Sequence, residues 1–121
     1  MSILFPKYDL HCHSTASDGR LSPEALLDRA IDRRIEVLSL TDHDTLKGVK
    51  ELITKADPAI QVIPGLELTA SWNNRVLHII GLGVDENDRN LNIYLEHLDV
   101  LRQARADKIC ERLFKQGVAR A

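Results

Sequence analysis

"EVLSLTDHDTLKGVKELITKA", Glu36 to Ala56, contains the change of pattern that decides the fold. It opens as a short, mostly apolar run and passes into a polar cluster, Thr41 to Asp44. From Leu46 onward the apolar residues recur at helical spacing: Leu46, Val49, Leu52, Ile53 and Ala56. A buried strand that turns through polar residues into an amphipathic helix is half of a β-α-β unit. Asp57-Pro58 stops the helix, because a residue before proline avoids the helical region.

Upstream, "YDLHCHS" (Tyr8 to Ser14) alternates as a strand does, with Tyr8, Leu10 and Cys12 on one face and Asp9, His11 and His13 on the other. "SPEALLDRAIDRRI" then reads as a helix with Ser22 as N-cap and Pro23 at the first helical position. Its apolar stripe is Leu26, Leu27, Ala30 and Ile31. Downstream, "IQVIPGLELT" is a third strand region, interrupted at Pro64-Gly65, and "RVLHIIGLGV" is a fourth. The connection "ASWNN" is too short for a crossover helix. It leaves either an antiparallel pair turning at Asn73-Asn74 or one bent, bulged segment. After the linker-like "DENDRN", "NLNIYLEHLDVLRQARADKICERLFKQG" reads as one long helix or a helix pair, with Gly117 at its C-cap. Strands alternating with helices predict an α/β fold built on parallel β-α-β units.

The bulk properties narrow the function classes. A chain of 121 residues suits one domain, and with few aromatics its core is aliphatic. A formal net charge of −2 with mixed signs offers no basic face for duplex DNA. Cys12 and Cys110 stand far apart without a CxxC, which suits thiols in a reducing compartment. The N-terminal patch is broken by Pro6 and Lys7, unlike a signal peptide, and no run is long and apolar enough to cross a membrane. These features predict a cytoplasmic, soluble protein without membrane partners.

The polar groups gather where the strands end. His11 and His13 end the first, Thr41 to Asp44 the second and Glu67 the third, and His78 lies within the fourth. In parallel α/β folds such ends converge on one rim, and imidazole with carboxylate suits Zn, Mn or Fe rather than Ca. Taken singly, each residue has a plainer reading. His11 and His13 fit two partly buried polar residues, Asp18 before Gly19 a turn, and His43 a loop residue with Asp42 and Asp44 capping the next helix. Glu67 fits an exposed loop carboxylate, and His78, between Val76, Leu77, Ile79 and Ile80, a core histidine. Four strand regions each delivering a ligand type to one rim is the pattern that structure alone explains poorly. His97, beside Glu96 and Asp99, reads as solvated. Arg102, Arg105 and Arg112 read as a helix face, with a phosphate contact by one of them the alternative, and Trp72 and Asn73, near the rim, read equally as loop packing or as contacts to a base or sugar.

"DLHCHSTASDGRLSPEAL", "LSLTDHDT", "VIPGLELTA" and "LHIIGLGVD", continued by "RQARADKICERLFKQG", together resemble the PHP (polymerase and histidinol phosphatase) superfamily. The likeness is greatest to its small bacterial phosphoesterases, nucleoside 3′,5′-bisphosphate phosphatases and a 5′-to-3′ exoribonuclease. It implies the N-terminal part of a distorted (β/α)7, TIM-like barrel over residues 1–121, with two or three divalent metal ions on its rim. By position, His11 and His13 would hold the first metal and His78 the second, with Glu67 bridging the two, while Asp18 and His43 would hold the third. The implied activity is hydrolysis of phosphate esters of nucleotides or RNA 5′ ends by a metal-activated water. The family's later ligands, a His or Cys and an Asp-x-His pair, have no counterpart before Ala121, and a closed barrel takes roughly 200 residues or more. The resemblance therefore leaves a second reading: a non-catalytic module that binds metal or a partner. An incomplete barrel also predicts self-association.

Overall fold

The computed structural model describes residues 5–55 and 57–119. The chain divides into two compact units, Met1–Asn87 and Asp88–Ala121.

The first unit begins with strand β1 (Tyr8–Cys12), helix α1 (Pro23–Asp32), strand β2 (Val37–Leu40), helix α2 (Lys47–Thr54) and the two-residue strand β3 (Gln61–Val62). The three strands form one parallel sheet in the order β1-β2-β3, so α1 and α2 are the two crossovers. Strand β2 is central and buried along its whole length. Leu38 and Leu40 of β2 are buried, as are the apolar stripes of the helices: Leu27 and Ala30 of α1, and Val49 and Leu52 of α2, with Leu46 just before it. Each such leucine contributes about 1.5–3 kcal/mol by leaving water. Ala56, expected on the apolar stripe of α2, lies outside the described residues.

Local signals account for the helix ends. Ser22 caps α1 by accepting a hydrogen bond from the Ala25 amide at 3.1 Å, and Pro23 fills the first helical position. Helix α2 differs from expectation. Its N-cap is Leu46, with no side-chain cap, so Asp42 and Asp44 do not cap it. Both aspartates are buried and bonded elsewhere.

Pro64-Gly65 separates two strands that belong to different sheets. Strand β4 (Gly65–Trp72) leaves the parallel sheet and pairs antiparallel with β5 (Arg75–Leu82), in register from Gly65↔Leu82 to Trp72↔Arg75. Asn73 and Asn74 take φ of 49° and 59°, the left-handed pair that a tight two-residue hairpin demands and that asparagine tolerates. The antiparallel reading of "ASWNN" is thus the correct one. A parallel bridge between His43 and Glu67 joins the hairpin to the segment after β2. The apolar side chains of β5, Val76, Leu77, Ile79 and Ile80, are exposed, so His78 is no core histidine.

The second unit is a single helix, α3 (Arg89–Lys115), rather than a pair. Asp88, from the linker-like stretch, caps it by accepting from the Leu91 amide at 2.7 Å. Beyond its end Gly117 has φ of +89°, the left-handed turn expected of a C-terminal glycine. Of the helix residues only Leu95 is buried.

Candidate metal centre

Glu67 is the third residue of β4 rather than the end of a strand, and its side chain is only 9% exposed. Its Oε2 lies 3.1 Å from His11 Nε2, 3.0 Å from His13 Nε2 and 3.8 Å from His43 Nε2. Its Oε1 turns the other way, 3.6 Å from His78 Nδ1. One buried carboxylate is therefore surrounded by four imidazoles. Asp18, 66% exposed, closes a second side, with Oδ1 3.4 Å from His13 Nδ1 and Oδ2 3.4 Å from His43 Nε2. His13 and His43 stack with ring centres 4.6 Å apart. His78 meets His43 edge-on at 5.2 Å.

All six residues singled out from the sequence come together. They form three overlapping groups whose ligand atoms lie within 4.8 Å of one another: His11, His13 and Glu67; His13, Asp18 and His43; His43, Glu67 and His78. The donor set fits a divalent cation. Four imidazoles converge on one buried carboxylate, and His13 Nδ1 is buried without a hydrogen-bond partner. His97, on α3, enters none of the groups. Trp72 is exposed at the hairpin turn.

Backbone structure explains how each donor is placed. His11 lies within β1 and His13 just beyond it, and the register against β2 slips between Asp9 and Cys12. Such a bulge re-aims side chains, and both rings end on one side with Nε2 atoms 3.2 Å apart. The Thr41 amide and hydroxyl both donate to the Cys12 carbonyl, at 2.9 and 3.2 Å, tying the end of β1 to the start of the polar segment. Next along, the Glu67 amide donates to the Asp42 carbonyl and the Asp44 amide to the Glu67 carbonyl, both at 3.0 Å. His43 and Glu67 are thereby locked side by side.

Asp18 rides on a tight loop. The Ser17 and Gly19 amides both donate to the Ser14 carbonyl, at 3.1 and 2.8 Å. A Cβ on Gly19 would fall 2.3 Å from the His13 carbonyl oxygen, which is why glycine follows Asp18. Cys12 takes no part in the cluster. Its thiol donates to the Ser39 carbonyl at 3.4 Å, and burial, with help from the Asp9 and Asp42 carboxylates, pushes its pKa up to about 12. The supporting residues Ser14, Ser17, Asp42 and Asp44 escaped sequence reasoning. The only hint was the doubling of aspartates around His43.

An α/β fold with imidazoles and carboxylates drawn together from its parallel sheet, the segments that follow the strands and the antiparallel hairpin defines a protein with a candidate metal centre. The more particular identification comes from sequence: the family model described as the PHP domain matches residues 9–116, and the chain belongs to that family. A 5′-3′ exoribonuclease of Haemophilus influenzae is 43% identical over 116 residues, which are 95% of this chain and 42% of that protein. A 3′,5′-nucleoside bisphosphate phosphatase of Chromobacterium violaceum is 38% identical over 112 residues, 92% of this chain and 39% of that one. The solved structure of an amidohydrolase from Chromobacterium violaceum, with sulfate bound, superposes with a TM-score of 0.82 at 36% identity, covering 94% of this chain and 40% of its own. The chain thus spans about two fifths of the length of these relatives. Among the described residues no helix is long and apolar enough to cross a membrane.

Proposed function

We propose that the chain supplies six protein ligands, His11, His13, Asp18, His43, Glu67 and His78, to a two- or three-metal centre in a phosphoester hydrolase. The substrates of that hydrolase are phosphate esters of nucleotides or RNA 5′ ends. The observation that carries this reading is the placement of Glu67, whose two oxygens face different histidines, an arrangement suited to a bridging carboxylate. His11 and His13 share Oε2 with each other, His78 takes Oε1, and Asp18 with His43 forms the third side. The names of the similar proteins, an exoribonuclease and a bisphosphate phosphatase, support phosphoester chemistry. The elements β1–α2 would then be the opening of a distorted, TIM-like barrel of the (β/α)7 kind.

Bound Mn, Zn or Fe would neutralise phosphate oxygens and lower the pKa of a water that attacks phosphorus. The chain's own part is positional. Buried Glu67 holds the imidazoles at fixed spacing, and exposed Asp18 marks a solvent-facing side of the cluster. Each group offers three protein atoms, which leaves coordination positions for water and substrate.

A second reading is a metal- or partner-binding module that does not turn over by itself, for which the clustered ligand groups alone would suffice. Phosphate release from nucleoside 3′,5′-bisphosphate and from 5′-phosphorylated RNA, with added Mn²⁺, tests the proposal on this chain and on a form extended downstream. Hydrolysis by the extended form that disappears in Glu67→Gln supports it. Metal binding without hydrolysis in either form favours the second reading, and no metal binding in either removes both.

A further inference from the structure

Asp42 is fully buried, yet it belongs to none of the three ligand groups. Its Oδ1 accepts from the Ser14 amide and the Ser17 hydroxyl, both at 2.7 Å, and its Oδ2 accepts from the Ser14 hydroxyl at 2.7 Å. All three donors lie on the loop that carries Asp18. The main-chain carbonyl of the same residue accepts from the Glu67 amide at 3.0 Å. Asp42 thus joins the strand of one carboxylate ligand to the loop of the other, and His43 follows it directly.

We propose that Asp42 is a positioning residue: by clamping Ser14 and Ser17 it sets the distance between Asp18 and the His13–His43 pair. The assignment rests on the metal-binding reading above. A buried carboxylate is costly unless its oxygens are satisfied, and three short hydrogen bonds from one loop satisfy them. An amide at this position does not substitute. The Ser14 hydroxyl already accepts from the Ala16 amide at 3.1 Å, and an asparagine NH₂ in place of Oδ2 would leave the hydroxyl proton without its acceptor. Room for the carboxylate comes from Gly48, where a Cβ would lie 2.6 Å from Oδ2. Without the clamp, the Asp18 side chain keeps contacts no shorter than 3.4 Å, and its loop keeps the two amide bonds to the Ser14 carbonyl.

The test uses Asp42→Asn and, as a milder change that removes one donor at the loop, Ser17→Ala. Amide hydrogen exchange on the metal-free chain comes first. The expected result is that Ser14 and Gly19 exchange about tenfold faster in each variant while Leu52 of α2 changes less than about twofold. Zinc titration is then followed through the histidine ring signals. The variants should need about tenfold more zinc to shift His43, while His11 responds within about twofold of the parent. Equal weakening at His11 and His43, or no change at either, overturns the assignment. A parent chain whose histidines ignore zinc overturns the metal reading instead, and with it any metal-positioning role.

Discussion

Asp44 accepts a hydrogen bond from the Thr69 amide through Oδ1 at 2.8 Å, and Thr69 is the residue paired with His78 across the hairpin. One side chain therefore links the segment after β2 to the register position that carries a candidate ligand. Asp44 also sits at φ of 53°, a left-handed conformation that Asp and Asn tolerate and alanine does not.

Three substitutions separate these two contributions. Asp44→Asn keeps both the acceptor and the backbone tolerance and is expected to cost least. Asp44→Gly loses the acceptor only. Asp44→Ala loses both, for a cost of roughly 2–4 kcal/mol. Urea unfolding of the three variants gives the order directly, and Ala as the mildest change would contradict the account.

Gly48→Ala is expected to destabilise, although alanine is the better helix former by about 1 kcal/mol. A Cβ there would meet Asp42 Oδ2 at 2.6 Å and Leu40 Cδ2 at 2.8 Å, both on buried side chains. Overpacking of that kind costs typically 1–3 kcal/mol. A lower melting temperature for the variant confirms the crowding, and a higher one would show that the neighbours give way freely.

The isolated chain is expected to bind Mn²⁺ weakly and to hydrolyse phosphoesters poorly. Six side chains serve three groups only because His13, His43 and Glu67 each belong to two, so fewer than three independent donors remain per ion, and affinity grows with ligand number as well as type. Calorimetric titration and a phosphate-release assay measure both. Robust turnover by a demonstrably monomeric chain contradicts the expectation.

Alkylation distinguishes the two cysteines. A thiol reacts as the thiolate, and with its pKa pushed up to about 12 Cys12 stays protonated across the neutral range, whereas Cys110 is exposed. Iodoacetamide at pH 8 followed by peptide mass analysis should label Cys110 at least about tenfold faster. Comparable rates would show that β1 opens readily.

Self-association is expected to rise with concentration. Strand β5 pairs with β4 on one edge, and among the described residues no strand takes the other. Val76 and Ile79 on it are 67% and 52% exposed. Open edges with apolar side chains recruit further strands. Light scattering across a dilution series should show a rising mean mass, and a monomer at every concentration refutes the expectation.

Much of the candidate site was legible because its residues carry chemistry in their identity. A histidine pair spaced by one, or a carboxylate at a strand, signals a possible ligand even before the chain is folded. Ser22-Pro23 and Asn73-Asn74 were legible for a similar reason, since their backbone preferences act locally. What escaped depends on partners distant in sequence. Asp42 finds Ser14 and Ser17 at separations of 28 and 25 residues, so its local neighbours pointed to helix capping instead. The slip between β1 and β2 is likewise set by two strands jointly and leaves no mark in either one. Pro64-Gly65 marked an interruption, but a break looks the same in sequence whether the strand resumes in its own sheet or in another.

The six donors run from His11 to His78, all inside the compact unit that ends at Asn87. That economy has a consequence for synthesis. Domains tend to fold from the N-terminus as the ribosome releases them. Once β5 has emerged, every donor is available, and the helix that follows contributes none of them. On the ligand assignment proposed above, a nascent chain would have its whole donor set outside the ribosome before α3 leaves it, which would make ion supply an early event in its maturation.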